Sequence, residues 1–222
     1  MTFTELKQLV RRGEGQYLEF KKKADHPDKI VREMVAFANS GGGELLLGVD
    51  DHGEISGLKF PDEERYVMEA ALAMYVKPEI EVIVDSIKTE YGKEVIRYII
   101  PDGTTKPYSW LVDKEKKQYR VYVRHKDQSL QASGEMLKIL KAGQAESRQH
   151  SLTFTPREKK VFSFLEENKV MTLDEFARLS KIPKWMASRI LVQRVIQGVF
   201  TIQPGENHDL YALSPSYLTD FS

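Results

Sequence analysis

At 222 residues, with 41% hydrophobic, 30% charged and 10% aromatic residues, the chain has the make-up of a folded protein of one large or two modest domains, not of a disordered polymer. The absence of cysteine excludes disulfides, thiolate metal sites and cysteine nucleophiles, and fits the reducing cytoplasm. Lysine plus arginine balances aspartate plus glutamate at 33 each, so no whole-chain field steers the protein toward a polyanion and any nucleic-acid surface must be local.

In chain order, Thr4 to Arg12 carries Leu6, Leu9 and Val10 at helical spacing; this predicts a short helix with Thr4 as N-cap, ended by Gly13. Tyr17 to Lys21 reads as a strand, and Asp28 to Ser40 as a helix whose apolar face is Ile30, Val31, Met34, Val35, Phe37 and Ala38. Gly41, Gly42 and Gly43 end that helix. Glu44 to Val49 is an apolar strand, Asp50 to Gly53 a turn, and Glu54 to Leu58 the returning strand of a hairpin. A helix from Pro61 to Tyr75 follows, then strands at Ile80 to Glu90, Glu94 to Pro101 and Gln118 to Arg124, and a helix at Gly134 to Lys141. The opening segment has no apolar core of signal-peptide length and no later run is long enough to cross a bilayer, so a membrane role is not expected.

The polar, aperiodic stretch Gly143 to Thr153 reads as a linker. It separates a mixed α/β domain over residues 1–142 from a second domain over 154–222. There, Thr155 and Pro156 start a helix bearing Val161, Phe162, Phe164 and Leu165; Thr172 caps a second, Leu173 to Ser180; and Pro183 opens a third that runs to Gln197. Gly198 stops it, and Val199 to Ile202 with Leu210 to Leu213 predict a hairpin across the Pro204 to Asn207 turn. Three helices and a hairpin is the order of a winged helix-turn-helix. From Ser151 onward there are nine basic and eight acidic residues, so its contacts too must be local.

Glu14, Glu19 and Asp50 or Asp51 form one candidate acidic constellation. Gathered carboxylates can hold a divalent cation that activates water. Equally, Glu19 can pair with Lys21 or a nearby arginine while Asp50 and Asp51 make a hairpin turn. Three glycines that follow a helix and lead into a strand suit chain termination and close packing better than a phosphate cradle, which needs amides at a helix N-terminus; nucleotide binding is therefore weakly indicated. Lys21, Lys22, Lys23, Lys29 and Arg32, with Arg11 and Arg12, make a basic cluster suited to phosphate backbones, interspersed with Glu14, Asp25, Asp28 and Glu33. On the third helix of the second domain, Lys184, Ser188, Arg189 and Gln193 are candidates for base or phosphate contacts, and no acidic residue interrupts the helix. Trp185, Val192, Val195 and Ile196 also make it apolar on more than one face, which implies burial against another domain or a second subunit. The five histidines have no metal-ligand spacing, and no P-loop or serine elbow is present.

Glu14, Glu19-Phe20-Lys21, Ala36-Phe37-Ala38-Asn39, Gly42-Gly43, Gly48-Val49-Asp50-Asp51 and Gly57-Leu58 stand in the order and spacing of the Schlafen AlbA_2 family, which this stretch resembles. The likeness extends to Lys106-Pro107-Tyr108 and to Tyr122-Val123-Arg124 before Ala132-Ser133, covering roughly the first 140 residues. It implies an α/β fold found in bacterial proteins described as transcriptional regulators or ATP-binding proteins, and in animal proteins that cleave RNA. In the latter, two glutamates and an aspartate form a metal site, and the Glu14 to Glu19 spacing fits that pattern, with Asp50 or Asp51 as the aspartate; the usual serine after the first glutamate is Gly15 here. Arg124, in the family's YVR region, joins the basic candidates for nucleic-acid contact. The expected function is a DNA-binding transcriptional regulator whose winged helix meets duplex DNA first and RNA second, with the first domain supplying homodimerisation, backbone contact or ligand sensing. The alternatives are a magnesium- or manganese-dependent ribonuclease using Glu14, Glu19 and Asp50 or Asp51, and a nucleotide-sensing or dimerisation module.

Overall fold

The computed structural model describes residues 1–143 and 156–215, which divide into two compact units, Met1–Gln131 and Ala132–Ser222. The linker expected at Gly143 to Thr153 and the helix start expected at Thr155 lie, apart from Gly143, outside the described residues.

The first unit is mixed α+β. Its elements in order are α1 (Phe3–Val10), β1 (Leu18–Lys21), α2 (Pro27–Asn39), β2 (Gly43–Leu47), α3 (Pro61–Tyr75), β3 (Val76–Lys77), β4 (Ile83–Lys88), β5 (Glu94–Ile100), β6 (Ser109–Asp113), β7 (Gln118–Arg120), β8 (Tyr122–His125) and β9 (Gln128–Gln131). The main sheet runs β1-β2-β5-β4, with β1 and β2 parallel across the α2 crossover and β5 antiparallel to both its neighbours. Strand alternation splits its side chains into two cores. Leu45, Leu47, Ile96, Tyr98 and Ile100 meet Val31, Met34, Phe37 and Met68 from α2 and α3, whereas Leu18, Phe20, Leu46 and Val95 meet Leu6 and Val10 from α1. The sheet is therefore covered on both faces.

Helix α2 is buried along most of its length, including the polar Glu33 and Asn39. The Asn39 amide donates to the carbonyls of Tyr108 (2.9 Å) and Tyr122 (2.8 Å) and accepts from the Tyr108 amide (2.9 Å), which ties the end of α2 to the β6 and β8 segments. Gly42 has φ +83°, and a Cβ on Gly43 would collide with the Phe37 ring, so the glycine run closes α2 and lets β2 pass against it. Two local expectations change. The N-cap of α1 is Thr2, because Glu5 completes a reciprocal capping box with it. The hairpin strand expected at Glu54 to Leu58 reduces to the single bridges Val49↔Ile55 and Leu58↔Glu94, since Gly48 (φ +111°) and Gly57 (φ +62°) interrupt extended backbone.

The second unit contains α4 (Gly134–Ala142), α5 (Pro156–Asn168), α6 (Leu173–Ser180), α7 (Lys184–Ile196) and the antiparallel hairpin β10 (Phe200–Gln203) and β11 (Leu210–Leu213). Its core is Val161, Leu165, Met171, Phe176, Ala187, Leu191, Val199, Phe200 and Tyr211. Helix α4, placed by the sequence reading ahead of the linker, lies in this unit and packs on α7. Met136 and Leu140 are its buried residues. A fragment covering residues 132–222 should consequently melt cooperatively, and a fragment starting at Ser151 should melt at least about 5 °C lower, given the size of a lost apolar contact. Equal midpoints by circular dichroism would show that α4 adds nothing to this unit.

Candidate functional site

One member of the acidic constellation, Glu19, is held by a buried cation. The Arg124 side chain, on β8, is fully buried and lies with its guanidinium 4.8 Å from the Phe37 ring centroid. Its Nη2 donates to Glu19 Oε2 at 2.6 Å, and its Nη1 to Glu33 Oε2 at 3.2 Å and to Ser129 Oγ at 3.5 Å. Nε and Nη2 also donate to the Gly15 carbonyl at 3.1 and 3.0 Å. An arginine has five N–H donors in a fixed fork, and here they point into the protein. Arg124 is thus a structural cation and not the phosphate contact expected from the sequence. Glu19 receives a second cation, since Lys21 Nζ bonds its other carboxylate oxygen.

Glu14 is held differently. Its Oε1 accepts the Phe20 amide at 2.8 Å, and the side chain lines a cleft of about 460 Å³ with Lys7, Arg11, Asp51 and His52. Burial raises its pKa, the Phe20 hydrogen bond opposes that, and the charges of Glu19 and Asp51 push it up further. Asp50 is a turn residue: Oδ1 accepts the amides of His52 (3.0 Å) and Glu54 (2.9 Å), and these bonds, the Glu54 one foremost, hold its carboxyl below the usual range. Asp51 is exposed on the cleft wall. Among the described residues no group of three or more histidine, aspartate or glutamate side chains is placed to hold a metal ion. Glu14, Glu19 and Asp50 therefore do not form a common ligand set in this structure: one lines a cleft, one neutralises cations and one closes a turn.

The basic cluster is likewise dispersed by its own partners. Lys23 pairs with Asp25 at 3.0 Å. Arg32 bonds Glu33 at 2.9 Å while its guanidinium lies 5.4 Å from the Tyr122 ring and 5.8 Å from the Trp110 ring. Lys22, Lys29, Arg11 and Arg12 are exposed.

In the second unit, Lys184, Arg189 and Gln193 are exposed on α7, with Lys184 paired to Asp174 at 2.7 Å. Ser188 is 5% exposed; it donates to Glu135 at 2.5 Å and accepts from Lys138 at 3.2 Å, so α4 covers this expected contact. Val192 is buried, whereas Trp185 is 65% exposed. The exposure of Trp185 was not foreseen, and its position at i with Arg189 at i+4 and Gln193 at i+8 was the available signal.

The family model described as "Schlafen, AlbA_2" matches residues 14–133. No curated protein matches the chain. Among solved structures, the N-terminal domain of a putative ATP-dependent DNA helicase RecG-related protein from Nitrosomonas europaea is similar at 22% identity and a TM-score of 0.37, over 46% of this chain and 74% of that one. The DIP2311 protein from Corynebacterium diphtheriae is similar at 19% identity and a TM-score of 0.42, over 72% of this chain; the match spans 27% of that protein. No described helix is long and apolar enough to cross a membrane.

The raised pKa of Glu14 has a testable sign. Because the fold favours its protonated form, ionising it costs stability above the folded pKa, and that cost is absent below the unfolded value of 4.5. Glu14→Gln keeps a carbonyl for the Phe20 amide and removes the charge. The variant should melt slightly above the parent at pH 7, and the difference should close as pH falls below 4.5. A lower midpoint at pH 7 in thermal melts would mean that the ionised carboxylate is held by a favourable partner.

Proposed function

Because this chain belongs to the Schlafen AlbA_2 family, we propose that it has a nucleic-acid-related role and that it binds duplex DNA as a transcriptional regulator, with α5, α6, α7 and the β10–β11 hairpin acting as a winged helix. The observation that carries this reading is the outer stripe of α7. Lys184, Trp185, Arg189 and Gln193 are all exposed, and the helix has no acidic residue to repel a phosphate backbone. Arginine and glutamine supply forks for base edges, lysine a point charge for phosphate, and an exposed indole a face for sugar or base. The reading also explains why a chain of zero net charge can meet a polyanion: the contact is confined to one helix.

In this account the first unit contributes scaffold, and its acidic residues are not a nuclease centre. A metal-dependent ribonuclease needs carboxylates free to ligate, whereas Glu19 is bound by Arg124 and Lys21, and Asp50 by two backbone amides. RNA is the second candidate ligand for the same α7 stripe.

Replacing Lys184 and Arg189 together by alanine should weaken binding to duplex DNA about tenfold or more at low salt, and each lost phosphate contact should reduce the slope of log affinity against log salt by about 0.9. Filter binding across a salt series measures both. An unchanged slope, or no duplex binding by the parent protein, would make α7 a protein-interaction helix.

A further inference from the structure

Helix α3 is apolar on two faces and, among the described residues, buries one of them. Met68 and Ala71 are buried in the core that α3 shares with α2. On the opposite side Tyr66, Val67, Ala70, Ala73 and Met74 are exposed, Tyr66 at 74% and Met74 at 50%. Single exposed apolar residues are ordinary on a protein surface, but these five are contiguous on one helix face. Glu63, Tyr66, Ala70, Ala73 and Lys77 follow one another at alternating intervals of three and four residues, which is the seam spacing of a helix that packs on a second helix. Val67 and Met74 widen that seam.

The two ends of the seam indicate what covers it. Glu63 stands seven residues before Ala70 and Lys77 seven residues after it; both are exposed, and among the described residues neither has an ion-pair partner. The Lys77 ammonium lies 5.6 Å from the Tyr119 ring. A second copy related by a two-fold axis at Ala70 runs antiparallel, so every residue meets the one equally far beyond the axis. Tyr66 then meets Met74 of the second copy, Val67 meets Ala73, and Glu63 meets Lys77. At about 1.5 Å per residue the two charges sit roughly 10 Å to either side of the axis. Lys77 follows the last turn of α3, on β3, and its flexible stem supplies the remaining reach. The small Ala70 at the crossing lets the two backbones approach, and the antiparallel sense opposes the helix dipoles. A lipid surface fits less well, because a helix lying on a membrane carries basic residues beside its apolar face, whereas the exposed Asp62 and Glu69 flank this one.

We propose that the outer face of α3 is a homodimer interface, in which two copies pair antiparallel about Ala70 with Glu63 of each facing Lys77 of the other. The apolar seam supplies the affinity, and the two exposed ion pairs fix the register. This dimer does not depend on DNA binding by α7, but it places two α7 helices in one assembly.

One helix seam is a small interface, so the full-length chain should be followed by sedimentation velocity from about 5 to about 500 µM, a range that covers weak association. The mass should rise from 25.6 kDa toward twice that value. Ala70→Glu sets two carboxylates against each other at the axis and should weaken dimerisation about tenfold or more. Because Ala70 is exposed, the dilute variant should keep the parent's circular dichroism melt. Glu63→Lys alone and Lys77→Glu alone each exchange two attractive contacts for two repulsive ones and should weaken the dimer about fivefold, and the two changes together should restore it. That rescue tests the same face without relying on the Ala70 variant. A chain that stays at 25.6 kDa throughout would overturn the proposal and leave the face to a different protein. A dimer indifferent to Ala70→Glu, or one that the combined charge exchange fails to restore, would equally overturn it, since the copies would then meet elsewhere or in another register.

Discussion

One guanidinium, buried where β1, α2 and β8 meet, determines how several polar residues of the first unit are used. Arg124 binds Glu19 from β1 and Glu33 from α2, and caps the Gly15 carbonyl where the chain enters β1. A buried arginine is tolerated only when its donors are met and its charge is balanced, and both conditions hold through groups that are far apart in sequence. Glu19 alone is 105 residues away. The β8–β9 hairpin is fastened to the rest of the unit by this network together with the Asn39 amide, so polar bonds here set the position of elements that the apolar cores only cover.

That arrangement limits what the acidic residues can do. A carboxylate with an arginine on one oxygen and a lysine on the other has little left to offer a metal ion, and a carboxylate that closes a turn has its lone pairs aimed at amides. Of the four candidate carboxylates, Glu14 and Asp51 line a cleft, which they share with Lys7, Arg11 and His52. The unit thus keeps the family's residue pattern while Glu19 and Asp50 are taken up by cations and backbone amides.

Local features were legible in the sequence wherever a signal repeats over several turns. The helix from Pro61 to Tyr75 has the expected limits because Pro61 opens it and the acidic Asp62, Glu63 and Glu64 suit its first turn. β6 and β9 were missed because Ser109–Asp113 and Gln128–Gln131 are short and mix polar with apolar residues; they gain their strand state from the partners β7 and β8. Arg124 and Ser188 were misplaced for a common reason. Whether a polar side chain faces solvent depends on what long-range packing lays over it, and nothing within a few residues of either position shows Glu19 or α4 arriving there. The Trp185 exposure has the opposite cause: an apolar residue stayed outside because the core faces of α7 are already filled by Ala187, Leu191 and Val192.

Glu19 acts as a structural partner of Arg124. A double-mutant cycle with Glu19→Gln and Arg124→Met, read by urea unfolding of the full chain, measures that partnership. Each single change should be destabilising, because it leaves a buried charge with one partner fewer, Lys21 remaining for Glu19 and Glu33 for Arg124, and the pair should show a coupling of about 1–3 kcal/mol. Additive effects within about 0.5 kcal/mol, together with a magnesium-dependent cleavage of structured RNA that disappears in Glu19→Gln, would contradict it.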